Sequence, residues 1–131
     1  MSDTSNTPTY PHFLGSEIEQ ADPDCGAIHV LPVPYEKTVS YGGGTRNGPS
    51  AILEASWQLE TWDGHSSPCQ HGIHTCAPID CQPDADRVIE DIAAATATII
   101  RHAAFPVVLG GEHTVTGGVL SGLRDAVFED F

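Results

Sequence analysis

Phe105-Pro106-Val107-Val108-Leu109-Gly110-Gly111-Glu112-His113-Thr114 is the stretch whose reading decides the fold of this chain. An apolar, β-branched run after a proline predicts a short buried strand. Gly110 and Gly111 then permit a sharp turn, because glycine adopts backbone angles closed to other residues. A carboxylate, an imidazole and a hydroxyl follow in Glu112, His113 and Thr114, and the small-residue pattern over 115–123 predicts a helix. Polar groups delivered at the carboxyl end of such a strand lie where open α/β sheets place their sites. Taken alone, the segment reads equally well as an ordinary strand–turn–helix with an incidental histidine.

Upstream, residues 84–102 carry the clearest helical period, with Val88, Ile92, Ala95, Ile99 and Ala103 on one stripe and Asp86, Arg87, Glu90, Asp91 and Arg101 opposite. Pro83, Asp84 and Asp86 suit its start, and Arg101 and His102 suit its end, where the helix dipole favours cations. A first buried strand is predicted at Ala27-Ile28-His29-Val30-Leu31-Pro32-Val33-Pro34, ended by its prolines, with His29 expected as a satisfied core histidine. Pro49 opens a second helix whose stripe is Ile52, Leu53, Ala55, Ser56 and Leu59, closed against its neighbours by Trp57 and Trp62. Apolar strands alternating with helices indicate a parallel sheet covered by helices.

Between first strand and helix runs Tyr35-Glu36-Lys37-Thr38-Val39-Ser40-Tyr41-Gly42-Gly43-Gly44-Thr45-Arg46-Asn47-Gly48. Gly42, Gly43 and Gly44 make a loop able to approach a ligand closely, or simply a flexible connection. The spacing fits neither a phosphate loop nor a dinucleotide fingerprint. Residues 63–83 read as a loop with weak strand character at 72–75. There Cys69, His71, His74 and Cys76 offer ligand-type side chains in a spacing unlike the usual zinc knuckles, and Cys81 lies nearby. In an extended segment His74 and Cys76 share a face, whereas Cys69 need not join them. Residues 1–24, rich in Ser, Thr, Pro and Asp, are expected as a loosely ordered N-terminal arm anchored by Phe13 and Leu14, and 25–131 as the domain proper.

Eighteen acidic residues against five lysines and arginines give a net charge of −13, which disfavours nucleic acid and anionic membranes as partners. The polar, acidic N-terminus lacks the features of a signal peptide, and no apolar run reaches the ~18 residues of a membrane span. The expectation is a cytoplasmic protein whose four cysteines are reduced thiols.

Three pieces together carry a family resemblance: Val33-Pro34-Tyr35-Glu36-Lys37-Thr38-Val39-Ser40-Tyr41-Gly42-Gly43-Gly44-Thr45, then Asn47-Gly48-Pro49-Ser50-Ala51-Ile52, and Leu109-Gly110-Gly111-Glu112-His113-Thr114. In order and separation they resemble the N-terminal half of the ureohydrolase (arginase/agmatinase) family, agmatinase branch. Gly72-Ile73-His74-Thr75 and Pro78-Ile79-Asp80 are similar to that branch too. The resemblance implies a three-layer αβα fold with a parallel sheet, incomplete in this chain. It also implies two Mn2+ ions that activate a water to hydrolyse agmatine to putrescine and urea. On the family motif His113 matches a manganese ligand, and the resemblance assigns no catalytic residue to this chain. Glu112, Thr114, Gly110 and Gly111 then orient the ligand or fix the turn, and Gly42–Gly44 lie near the substrate mouth.

The family's remaining ligands come from Asp-Ala-His-x-Asp and Asp-x-Asp-x-x-Asp-Pro motifs, which do not occur here. The resemblance therefore implies a small guanidino substrate for a chain inactive by itself. It leaves room for a homo-oligomer, for a complementing C-terminal chain, and for a non-catalytic assembly or metal-binding module. A parallel sheet of few strands also exposes an unpaired edge, which predicts poor expression or aggregation of the isolated chain.

Overall fold

The computed structural model describes residues 10–38 and 40–128. Its central strand, β1 (Ile28–Val33), is flanked by β2 (Ile73–Thr75) and β3 (Phe105–Gly110) in the order β2-β1-β3. Both pairings are parallel, with Ile28 opposite Ile73 on one side and Phe105 on the other, and Val33 opposite Gly110. Side chains alternate across a strand, so β1 serves two cores. Leu31 and Val33 pack with Val88, Ile92, Ile99 and Val115, whereas Ile28 and Val30 pack with Leu14, Leu53 and Ile73.

The first core is roofed by α2 (Ala85–Arg101) and α3 (Thr114–Val127), and the second by α1 (Gly48–Ala55) with the N-terminal segment. Helices on both faces of a parallel sheet make the three-layer αβα arrangement expected from the sequence. Asp84 caps α2 by accepting a hydrogen bond from the Arg87 N–H at 3.0 Å, the arrangement that satisfies an otherwise orphaned donor. The α2–α3 seam is closer than the apolar stripe of α2 suggests. A Cβ on Gly118 would stand 2.8 Å from the Ile92 side chain, and one on Gly122 2.5 Å from the Ala93 carbonyl. Ala93, Thr96 and Ala97 are buried there, so the contact surface turns toward small residues.

Several expectations change in detail. Within the expected arm, Leu14 is buried as an anchor, its N–H donating to Ser56 Oγ at 2.8 Å, and the Ala21 N–H donates to the Ile73 carbonyl at 3.0 Å. Residues 1–9 lie outside the described residues. On α1 only Pro49 and Leu53 are buried, while Ile52 is exposed, because a helix of eight residues makes only about two turns and buries one narrow stripe on the sheet. Trp57 and Trp62 stay about half exposed, although Trp57 Nε1 donates to the His12 carbonyl at 3.0 Å. Ala103 is not on the α2 stripe; with φ 58 it closes the helix, and the Ala104 N–H reaches back to the Ile99 carbonyl at 3.2 Å. Among the described residues no helix is long and apolar enough to cross a membrane.

Candidate active site

The carboxyl end of β3 is tied to the end of β1 by backbone hydrogen bonds. The Gly111 N–H donates to the Val33 carbonyl at 3.2 Å and the Glu112 N–H to the Tyr35 carbonyl at 3.1 Å. Glycine at 111 is required by this approach, since a Cβ would stand 2.0 Å from the Tyr35 carbonyl oxygen. The sharp turn through glycine-only backbone angles expected of the pair does not occur, for neither Gly110 nor Gly111 is among the glycines with positive φ. Contact with a neighbouring backbone, not an unusual turn, fixes Gly111.

His113 follows at the start of α3, in helical conformation (φ −58, ψ −24) and exposed. It lines two clefts. One, of about 430 Å3, runs beside β3 and α3 past Val108, Val115 and Val119. The other, of about 420 Å3, is bounded by Thr38, Ser40, Tyr41, Thr45 and Thr114. Among the described residues the His113 ring has no hydrogen-bond partner. A free imidazole on open space at a strand end is suited to ligate a metal or take a proton.

Glu112 faces the loop after β1. Its carboxylate accepts from the Lys37 N–H at 3.2 Å, the Thr38 N–H at 2.9 Å, the Thr38 hydroxyl, and Thr114 Oγ1 at 3.2 Å. Burial opposes its ionisation, but the Thr38, Lys37 and Thr114 hydrogen bonds outweigh that and hold the carboxyl below its ordinary range. Thr114 thus serves Glu112, its hydroxyl also lying 3.5 Å from that of Thr38. The ammonium of Lys37 is committed elsewhere, to the carbonyls of Pro83 and Gln82.

The glycine loop has its own carboxylate. Glu36 Oε2 accepts from the Gly44 N–H at 2.8 Å, Thr45 Oγ1 at 3.0 Å and the Arg46 N–H at 3.0 Å. The Arg46 and Gly44 amides lower its pKa below the usual carboxylate value. Gly42 (φ 63) and Gly44 (φ 121) sit where side chains are strained. The three glycines are exposed and form the backbone of the loop beside the cleft, while Ser40, Tyr41 and Thr45 line it. Glu36 and Thr38 were not singled out in the sequence. The available signal was a carboxylate at the mouth of a loop whose amides need acceptors.

The cysteine–histidine loop does not gather into a site. Cys69 packs against the core holding Leu14 and Ile73, and Cys76 against the core on the opposite sheet face. The His74 Nδ1 pairs with the Ala21 carbonyl at 2.9 Å, and its ring lies 5.1 Å from that of His29. His29 is buried as expected but not fully satisfied, because its Nε2 has no hydrogen-bond partner. Burial, then the neighbouring His74 and His102, lower its pKa. Among the described residues no three His, Cys, Asp or Glu side chains converge to hold a metal ion. Hard divalent manganese wants several oxygen ligands. One imidazole, His113, beside a Glu112 carboxylate already engaged by Thr38, Lys37 and Thr114 falls short of such a donor set.

The fold has counterparts. Agmatine ureohydrolase of Thermoplasma volcanium superposes with a TM-score of 0.71 at 22% identity, covering 78% of this chain and 36% of that one. A putative agmatinase from Clostridium difficile superposes with a TM-score of 0.71 at 21% identity, over 79% of this chain and 39% of its own. In sequence the chain is 39% identical over 127 residues to the N(1)-aminopropylagmatine ureohydrolase of Synechocystis sp., covering 91% of this chain and 41% of that protein. It is 35% identical over 108 residues to a protein of the same name from Thermus thermophilus, covering 78% and 36%. The chain thus spans about two fifths of the length of the curated relatives it matches. A family model described as the arginase family matches residues 26–131, and the chain belongs to the arginase family.

Proposed function

We propose that this chain is the N-terminal portion of a manganese-dependent ureohydrolase that releases urea from an agmatine-type guanidine. The observation that carries the reading is the His113 imidazole, without a hydrogen-bond partner among the described residues, set at the carboxyl end of β3 on a cleft of about 420 Å3. The activities named for the relatives, agmatine and N(1)-aminopropylagmatine ureohydrolases, support the substrate class. A guanidinium is resonance-stabilised, so neutral water is too poor a nucleophile; a metal pair, when bound, supplies an activated water. This chain's part is one imidazole ligand, held on a rigid strand–helix junction, and a polar rim ordered by two carboxylates.

The partial ligand set supports a further element of the proposal: the 131-residue chain is inactive unless more polypeptide, in the same protein or in a partner, supplies the carboxylates. The outer edge of β3 favours this, since among the described residues β3 pairs only with β1 and Phe105 is 69% exposed. A non-catalytic assembly module would use the same open edge, so the edge alone does not choose between these roles. The choice lies with activity. Urea release from agmatine and from N(1)-aminopropylagmatine is measured with Mn2+, for the chain alone and with the C-terminal portion of a longer relative such as the Synechocystis protein. Release is expected only from the combined protein, with its loss on His113→Ala. Undiminished release with His113→Ala contradicts the proposal.

A further inference from the structure

The loop between β1 and α1 is bracketed by two carboxylates from different parts of the fold. Glu112, at the end of β3, holds Lys37 and Thr38. Glu36, at the end of β1, holds Gly44, Thr45 and Arg46 through a single oxygen. Between the two brackets lie Ser40 and Tyr41, which line the His113 cleft, and Tyr41 is 98% exposed. A glycine-rich segment has much conformational freedom to lose, and an exposed loop has no core to hold it. Something other than packing must give this rim its shape.

We propose that Glu36 is a positioning residue that clips the triglycine loop into place as the rim of the His113 cleft. One carboxylate oxygen collects two backbone N–H groups and a hydroxyl, the Gly44 and Arg46 amides being those at the start of the short turn at Thr45–Asn47. Those amides have no helical acceptor of their own at that point. Gly43 completes the fit, since a Cβ there would stand 2.9 Å from Glu36 Oε1. The clip explains why three glycines occur together: two have positive φ, and the middle one passes directly over the carboxylate. Glu36 does not itself line the cleft and acts through the loop. The inference rests on the ureohydrolase reading only for what the rim serves; the clip is a property of this chain.

The test is amide hydrogen exchange and backbone relaxation on the full chain, comparing wild type with Glu36→Gln and Glu36→Ala over a pH series. Wild type is expected to protect the Gly44 and Arg46 amides. Glu36→Ala is expected to speed their exchange about tenfold or more and to loosen Ser40 and Tyr41, while the Thr38 amide, held by Glu112, keeps its rate. Glu36→Gln, which keeps an acceptor oxygen without the charge, is expected to restore part of the protection. Corrected for intrinsic exchange, wild-type protection falls on acidification only below the ordinary carboxylate range, and that step is absent in Glu36→Gln. Unchanged rates at Gly44 and Arg46 in Glu36→Ala overturn the proposal. So does a uniform loss of protection reaching α2, which makes Glu36 a residue of the fold at large. Neither readout needs substrate or metal, so a failure here is distinct from a failure of the ureohydrolase reading.

Discussion

β1 and β3 are six-residue apolar strands, parallel neighbours in one sheet, yet they live in different surroundings. From His29 to Val33 every residue of β1 is buried, whereas β3 has Phe105 exposed and the rest half-buried. The difference is one of neighbours: β1 is paired on both edges and β3, among the described residues, on one. An apolar strand is thus a statement of what a segment can bury, and the adjacent strand decides how much it does bury. The site follows the open strand. Beyond β1 the chain is tied down by the Gly111 and Glu112 amides, while beyond β3 it delivers His113 to open space.

The contrast can be broken most severely at the junction of the two strands. Gly111→Val places a side chain on the Tyr35 carbonyl and is expected to cost more than about 4 kcal/mol, enough to abolish a cooperative urea transition. A normal transition would mean that the two backbones do not approach so closely. Next, truncation within each strand should differ. Leu31→Ala on buried β1 is expected to cost about 3 kcal/mol, and Val108→Ala on half-buried β3 about 1 kcal/mol. Equal losses by chemical denaturation would mean that the edge is covered in solution.

The buried histidine of β1 adds a pH dependence that β3 lacks. Its pKa is lowered in the folded state, so the unfolded chain binds the proton first, and stability should fall as pH drops below about 6.5 and on through the folded value. His29→Leu should flatten that part of the profile; an unaltered slope would assign it to other groups. The smallest expected effect is at the edge itself. Phe105→Thr removes an exposed ring and should change stability within about 0.5 kcal/mol while reducing self-association in sedimentation.

Much of this was legible in the sequence because it depended on local pattern. The periods at 84–102 and 105–110 gave α2 and β3, and the parallel sheet followed from their alternation. The Gly-Gly-Glu-His-Thr segment lies, as its pattern suggested, at the carboxyl end of β3, where His113 borders a cleft. Features set by meetings between distant segments were not legible. Gly111 is fixed by Tyr35, far earlier in the chain, and Glu112 by Thr38. The Gly118 and Gly122 seam needed the position of α2, and the burial of Leu14 needed a sheet face to cover. Glu36 was hidden for another reason: an acid in a loop reads as solvated until its amide partners are placed around it.

The proposed function stands on the His113 imidazole being able to bind a metal ion. Titration of Mn2+ into the 131-residue chain, followed through the paramagnetic broadening of histidine ring resonances, tests it most directly. His113 is predicted to broaden first, ahead of the buried His29 and the carbonyl-bound His74, and His113→Ala to abolish this early step. A His113 ring left sharp while His29 or His74 broadens would contradict it.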